Sequence, residues 1–104
     1  MNTLILSENE MCDIGAKGIS DMMRADYTKI LHLDLQGNKI TSKGTELIAK
    51  GIRRNKFLLF LGLQWNLIDD EGAKALGRAI TRNTALKALF LMGNDVSLEG
   101  ARYI

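Results

Sequence analysis

A step of 28 residues governs this chain. Gly44, Gly72 and Gly100 stand 28 apart, and so do Asn38, Asn66 and Asn94. Leu33, Leu61 and Leu89 keep the step, as do Leu35, Leu63 and Leu91, and Ile40, Ile68 and Val96. Columns in phase mean an internal repeat. A repeat of this length means a stack of like units, each burying its apolar side against the next. An earlier copy runs one residue longer, because Leu4, Leu6, Asn9, Met11 and Gly15 precede Leu33, Leu35, Asn38, Ile40 and Gly44 by 29. The units so defined are 1–29, 30–57, 58–85 and 86–104, the last truncated, or about three and a half repeats in a single domain over 1–104.

Each unit changes period partway. Leu33 and Leu35 alternate with His32, Asp34 and Gln36, the mark of a strand with one face inward. Beyond the asparagine the spacing turns helical, with Leu47, Ile48 and Ile52 in one unit and Ala73, Leu76, Ala79 and Ile80 in the next. Thr41, Asp69 and Ser97 share a column at the helix start, where a side-chain oxygen can accept from the free N–H groups of the first turn. Asn55 and Asn83 stand at the helix ends, where a left-handed residue is expected. The asparagine column is expected to satisfy backbone groups between adjacent turns, which makes it structural.

The run Ile30-x-x-Leu33-x-Leu35-x-x-Asn38-x-Ile40, repeated at Leu58–Ile68 and Leu86–Val96, resembles the leucine-rich repeat. Its length, with Gly-x-x-x-Leu in the helix, is similar to the ribonuclease-inhibitor-like subclass of ribonuclease inhibitors, Ran GTPase-activating proteins, tropomodulins and NOD-like receptors. Ribonuclease inhibitors often alternate cysteine with asparagine at the ninth position, whereas this chain keeps asparagine in all four units. The resemblance implies an α/β fold, a right-handed βα solenoid or horseshoe segment with a parallel concave sheet and convex helices. It implies a protein-binding role, and in one branch the activation of a small GTPase, for which no specific motif is present here.

In such a unit the fourth and sixth positions face the core and the third, fifth and seventh face outward. The third column reads Thr3, His32, Phe60, Ala88, and the fifth Ile5, Asp34, Gly62, Phe90. The seventh reads Ser7, Gln36, Gln64, Met92, and the eighth Glu8, Gly37, Trp65, Gly93. Phe60, Trp65, Phe90 and Met92 therefore gather on the last two units. Apolar surface of that kind marks an interaction site, and aromatic anchors are enriched at interface hot spots. His32, Asp34, Gln36 and Gln64 supply polar contacts beside it. The sheet alone offers ~300 Å², against roughly 800 Å² per partner in a stable interface, so loops must contribute, more repeats must follow, or copies must associate.

Other chemistry finds less support. Ser7, His32 and Asp34 could be imagined as a nucleophile, base and carboxylate, but they lack an oxyanion donor and a pocket. Asp69-Asp70-Glu71 fits the positive end of a helix better than a calcium loop. Cys12, the only cysteine, has no metal-ligand spacing around it and excludes a disulfide framework. No catalytic residue, cofactor or metal is expected. Lys17, Lys50, Arg53, Arg54, Lys74, Arg78 and Arg82 populate the helices, interspersed with Asp13, Asp21, Glu46, Asp70 and Glu71, and a solvated outer face is the expectation.

A net charge of +2, from 14 basic and 12 acidic residues, argues against a dedicated nucleic-acid binder. No apolar run suits a membrane span, and the start has no basic segment of a signal peptide. An intracellular, cytoplasmic protein is expected. The open ends of a solenoid invite pairing with another chain. The alternative to a protein-binding module is therefore a structural scaffold, a homo-oligomer joined through its N- or C-terminal solenoid edge.

Overall fold

The structure, a computed structural model, describes residues 3–7, 11–24, 29–82, 85–94 and 96. Strands and helices alternate: β1 (Thr3–Ile5), α1 (Cys12–Arg24), β2 (His32–Asp34), α2 (Ser42–Arg54), β3 (Phe60–Gly62), α3 (Asp70–Thr81) and β4 (Ala88–Phe90). The strands form one parallel sheet in the order β1-β2-β3-β4. The register follows the repeat, with Leu4, Leu33, Leu61 and Leu89 side by side. Asn9, Asn83, Ser97 and Gly100, and with them the expected fourth helix, lie outside the described residues.

Each described strand is three residues long, but the ladder continues past it. Leu35 and Gly37 donate to the carbonyls of Gly62 and Gln64 at 2.8 and 2.9 Å, and Leu63 and Trp65 donate to Phe90 and Met92 at 2.9 Å. Adjacent rungs are thus tied through the eighth position. Between the sheet and the helices lies the core. Leu33, Leu35, Ile40, Ile48, Ile52, Leu61, Leu63, Ile68 and Leu76 are all at most 1% exposed.

The asparagines stitch one unit to the next. Asn66 Oδ1 accepts from the backbone N–H groups of Asn38 (2.9 Å) and Ile40 (3.0 Å), in the preceding unit. Its Nδ2 donates to the carbonyls of Leu35, Leu63 and Gln64 at 3.0 to 3.2 Å. Asn38 and Asn94 repeat the arrangement. A turn after each parallel strand leaves buried backbone groups without sheet partners, and one amide serves them from both sides.

The helix starts are also joined between units. Thr41 and Asp69 occupy the N-cap positions, and Asp69 accepts from Glu71 and Gly72 N–H groups. A second cap comes from the preceding helix. Asp13 Oδ1 accepts from the N–H of Thr41 at 2.9 Å and of Gly44 at 3.1 Å. Ser42 Oγ accepts from those of Asp69 and Gly72, both at 3.1 Å, and its hydroxyl donates to the Asp69 carboxylate. That hydroxyl, followed by the Gly72 N–H, holds the Asp69 carboxyl below its ordinary value. Here lies the reason for the glycine column. A Cβ at Gly44 would stand 2.3 Å from Asp13 Oδ1, and one at Gly72 would stand 2.7 Å from Ser42 Oγ.

One sequence expectation is corrected. Asn55 is not left-handed but extended, with φ −82° and ψ 135°. Its side chain, not its backbone, turns the chain: Oδ1 accepts from Phe57 and Leu58 N–H groups at 2.9 and 2.7 Å, and Nδ2 donates to the Met23 carbonyl of the preceding helix at 3.0 Å. An asparagine side chain can close a turn in this way without a positive φ.

Candidate protein-binding face

The sheet sets three outward columns in register. His32, Phe60 and Ala88 form one, and Asp34, Gly62 and Phe90 the next. Gln36, Gln64 and Met92 continue just beyond the strands. The sequence grouped four apolar residues here, and the structure separates one of them. Phe60 is half-buried, its ring tilted at 43° to the His32 imidazole with centroids 5.4 Å apart. Trp65, Phe90 and Met92 are exposed to 57%, 46% and 70%.

Trp65 stands out for its backbone. Its φ is +57°, and the equivalent positions on either side are Gly37 at +70° and Gly93 at +78°. The turn after each strand thus demands a left-handed residue, which glycine adopts freely and a bulky side chain adopts at a cost of roughly 1–2 kcal/mol. Gly93 also leaves the Trp65 ring its place, since a Cβ there would lie 2.1 Å from Cε3. The indole is laid across the turn of the next unit while more than half of the residue faces solvent. Leu67, two residues on, is exposed as well. Sequence reasoning missed Leu67 because its column in the preceding unit holds Lys39, so the pattern gave no apolar signal there.

The polar side of the face is preorganised around Gly62. Asp34 Oδ1 accepts from the Gln36 N–H at 3.0 Å. A Cβ on Gly62 would approach Gln64 Oε1 to 2.8 Å and Asp34 Oδ1 to 3.4 Å, so both side chains lean over the glycine. Gln64 Oε1 is buried without a hydrogen-bond donor among the described residues. Turning that amide over sets Nε2 there instead, on the side of the Asp34 carboxylate.

No hydrogen bond joins His32 to Asp34 or Ser7 among the described residues, and Asp34 is engaged with backbone. Cys12 is exposed, and the described residues hold no group of three or more His, Cys, Asp or Glu suited to a metal ion.

Comparison with known proteins agrees with the geometry. The family model described as Leucine Rich repeat matches residues 28–49, 54–77 and 82–104. The chain belongs to the leucine-rich repeat family. A comparison with curated proteins finds no match. Among solved structures, "Leiomodin-1 Actin-Binding Site 2 (ABS2)" superposes with a TM-score of 0.83 at 17% identity. The match covers 99% of this chain and 59% of that one. At that identity the likeness establishes the shared repeat fold.

Proposed function

We propose that this leucine-rich repeat chain is a non-enzymatic, intracellular protein-binding module of the ribonuclease-inhibitor-like subclass, which seats its partner on the concave strand face and the turns beside it. One observation carries the reading. A tryptophan occupies a left-handed position that glycine fills in the units before and after, and it stays 57% exposed. Burial does not explain the strain, and strained exposed aromatics are a feature of recognition sites. Trp65, Phe90 and Met92 form the apolar anchor, with Phe60 behind them. His32, Asp34, Gln36 and Gln64 form the polar flank.

The test is comparative capture from cell extract by the native chain and by a Trp65→Ala/Phe90→Ala variant. The captured protein is then purified and titrated against both. Purified actin is included as a defined candidate, because the similar repeat structure is an actin-binding site. The variant should bind at least thirtyfold more weakly, about 2 kcal/mol, while its circular dichroism is unchanged. Equal affinity in a folded variant would refute the assignment of the face.

A further inference from the structure

The opposite edge of the molecule, where the helices end, gathers charge that the sequence keeps apart. Arg24 closes α1, Arg53 and Arg54 close α2, and Arg82 caps α3. With Lys50 these four arginines line a single cavity of about 410 Å³. A second cavity of about 350 Å³ continues along the edge, sharing Arg53 and Arg82 and adding Arg78 and Thr81. The charges recur with the repeat: Arg24 lies 29 before Arg53, and Arg54 lies 28 before Arg82. All five cations are exposed, and none has a carboxylate partner among the described residues. Described acids have other places. Asp13 and Asp69 are committed to helix starts, Asp21 pairs with Lys17, and Glu46 lines the adjoining groove between α2 and α3.

We infer that this edge is a binding site for a compact ligand carrying two or more neighbouring phosphomonoesters, of the inositol polyphosphate class. The size agrees, since small-ligand cavities run from about 300 to 1,000 Å³. The charge agrees too. Five cations, set against about −0.5 at each of three helix C-termini, leave roughly +3.5. Two phosphomonoesters bring about −3 to −4. Four of the five cations are arginines, whose planar fork matches phosphate oxygens two at a time. Among the described residues the cavity lining carries no aromatic side chain for base stacking and no large apolar side chain to enter a bilayer. A single-stranded RNA and an inserted membrane contact are therefore poorer fits.

Calorimetric titration with inositol hexakisphosphate, and co-sedimentation with phosphatidylcholine vesicles with or without phosphatidylinositol bisphosphate, test the site. The native chain and an Arg53→Gln/Arg82→Gln variant are compared, with circular dichroism confirming that the variant folds. The native chain should bind one equivalent, more weakly as salt is added, and the variant at least tenfold more weakly. Binding of the soluble probe alone assigns a free polyphosphate, and binding of the doped vesicles alone assigns a lipid headgroup. Either result, with the loss in the variant, supports the site. Binding of neither, affinity unchanged in the variant, or tighter binding of poly-uridylate RNA or polyglutamate than of the hexakisphosphate overturns it.

Discussion

The Trp65 indole lies so close over Gly93 that a Cβ on the glycine would fall 2.1 Å from Cε3 and 2.3 Å from Cδ2. The left-handed turn of one unit presents the ring, and the side-chain-free turn of the next receives it. Replacing Gly93 by alanine therefore does two things. It forces a methyl group into the ring and sets a non-glycine residue at φ +78°. Gly93→Ala should destabilise by about 1–2 kcal/mol and red-shift the emission of the sole tryptophan as the ring is pushed into solvent, both read from urea unfolding followed by fluorescence.

The strain at Trp65 has its own signature. Trp65→Gly and Trp65→Ala remove the same ring, but only glycine adopts φ +57° freely. Trp65→Gly should be the more stable of the two by about 1 kcal/mol, and both should lose partner affinity equally. Denaturant midpoints for the pair check the first expectation, and titration with the captured partner checks the second.

Asn66 serves two backbone N–H groups and three carbonyls, across a buried turn. Asn66→Ala takes the Oδ1 acceptor from the Asn38 and Ile40 N–H groups, at roughly 1–3 kcal/mol each, while the three carbonyls keep the Asn38 amide, the Asn94 amide and the Gly37 N–H as donors. The loss should reach about 2 kcal/mol or more. Asn94→Ala, at a half-buried position with fewer bonds among the described residues, should cost less. Chemical denaturation of the two variants measures the difference.

Acid should weaken the joint between α2 and α3. The Asp69 carboxyl is held below its ordinary value by the Ser42 hydroxyl and the Gly72 N–H. A carboxyl lowered by folding stabilises the native state above its unfolded value of about 3.8 and loses that contribution as pH falls through its native value. Asp69→Asn keeps an N-cap and removes the titration. Between neutral pH and about pH 3, its urea midpoint should fall less than that of the native chain.

How much of this was legible depends on whether a contact repeats with the sequence. The leucine columns, the asparagine ladder and the caps at Thr41 and Asp69 recur every 28 residues, so periodicity alone exposes them. The caps from Asp13 and Ser42 were hidden, although these residues share one column with Asp70. Capping is read as a signal local to one helix, and here the oxygen comes from the helix before. Asn55 misled because its side chain does the work expected of its backbone. The face around Trp65 was partly legible, since alternation assigns outward positions. The left-handed turn was obscured because Trp65 interrupts the glycines of its column, and the half-burial of Phe60 was not legible because its ring packs against His32 of the neighbouring strand. The basic edge was read as a solvated surface. Arg24 and Arg53, and Arg54 and Arg82, do keep the repeat's step, but acids interspersed along the helices mask the signal, and the aligned helix ends show these cations lining one cavity.

The central claim is that Trp65 stands at the interface with the partner. Because the chain has a single tryptophan, incorporating 5-fluorotryptophan gives one fluorine-19 resonance, silent to everything in an unlabelled partner. Titration with the purified captured protein should shift and broaden that resonance, reaching a plateau at the stoichiometry found by calorimetry. A resonance unchanged at a saturation that calorimetry confirms would contradict the account.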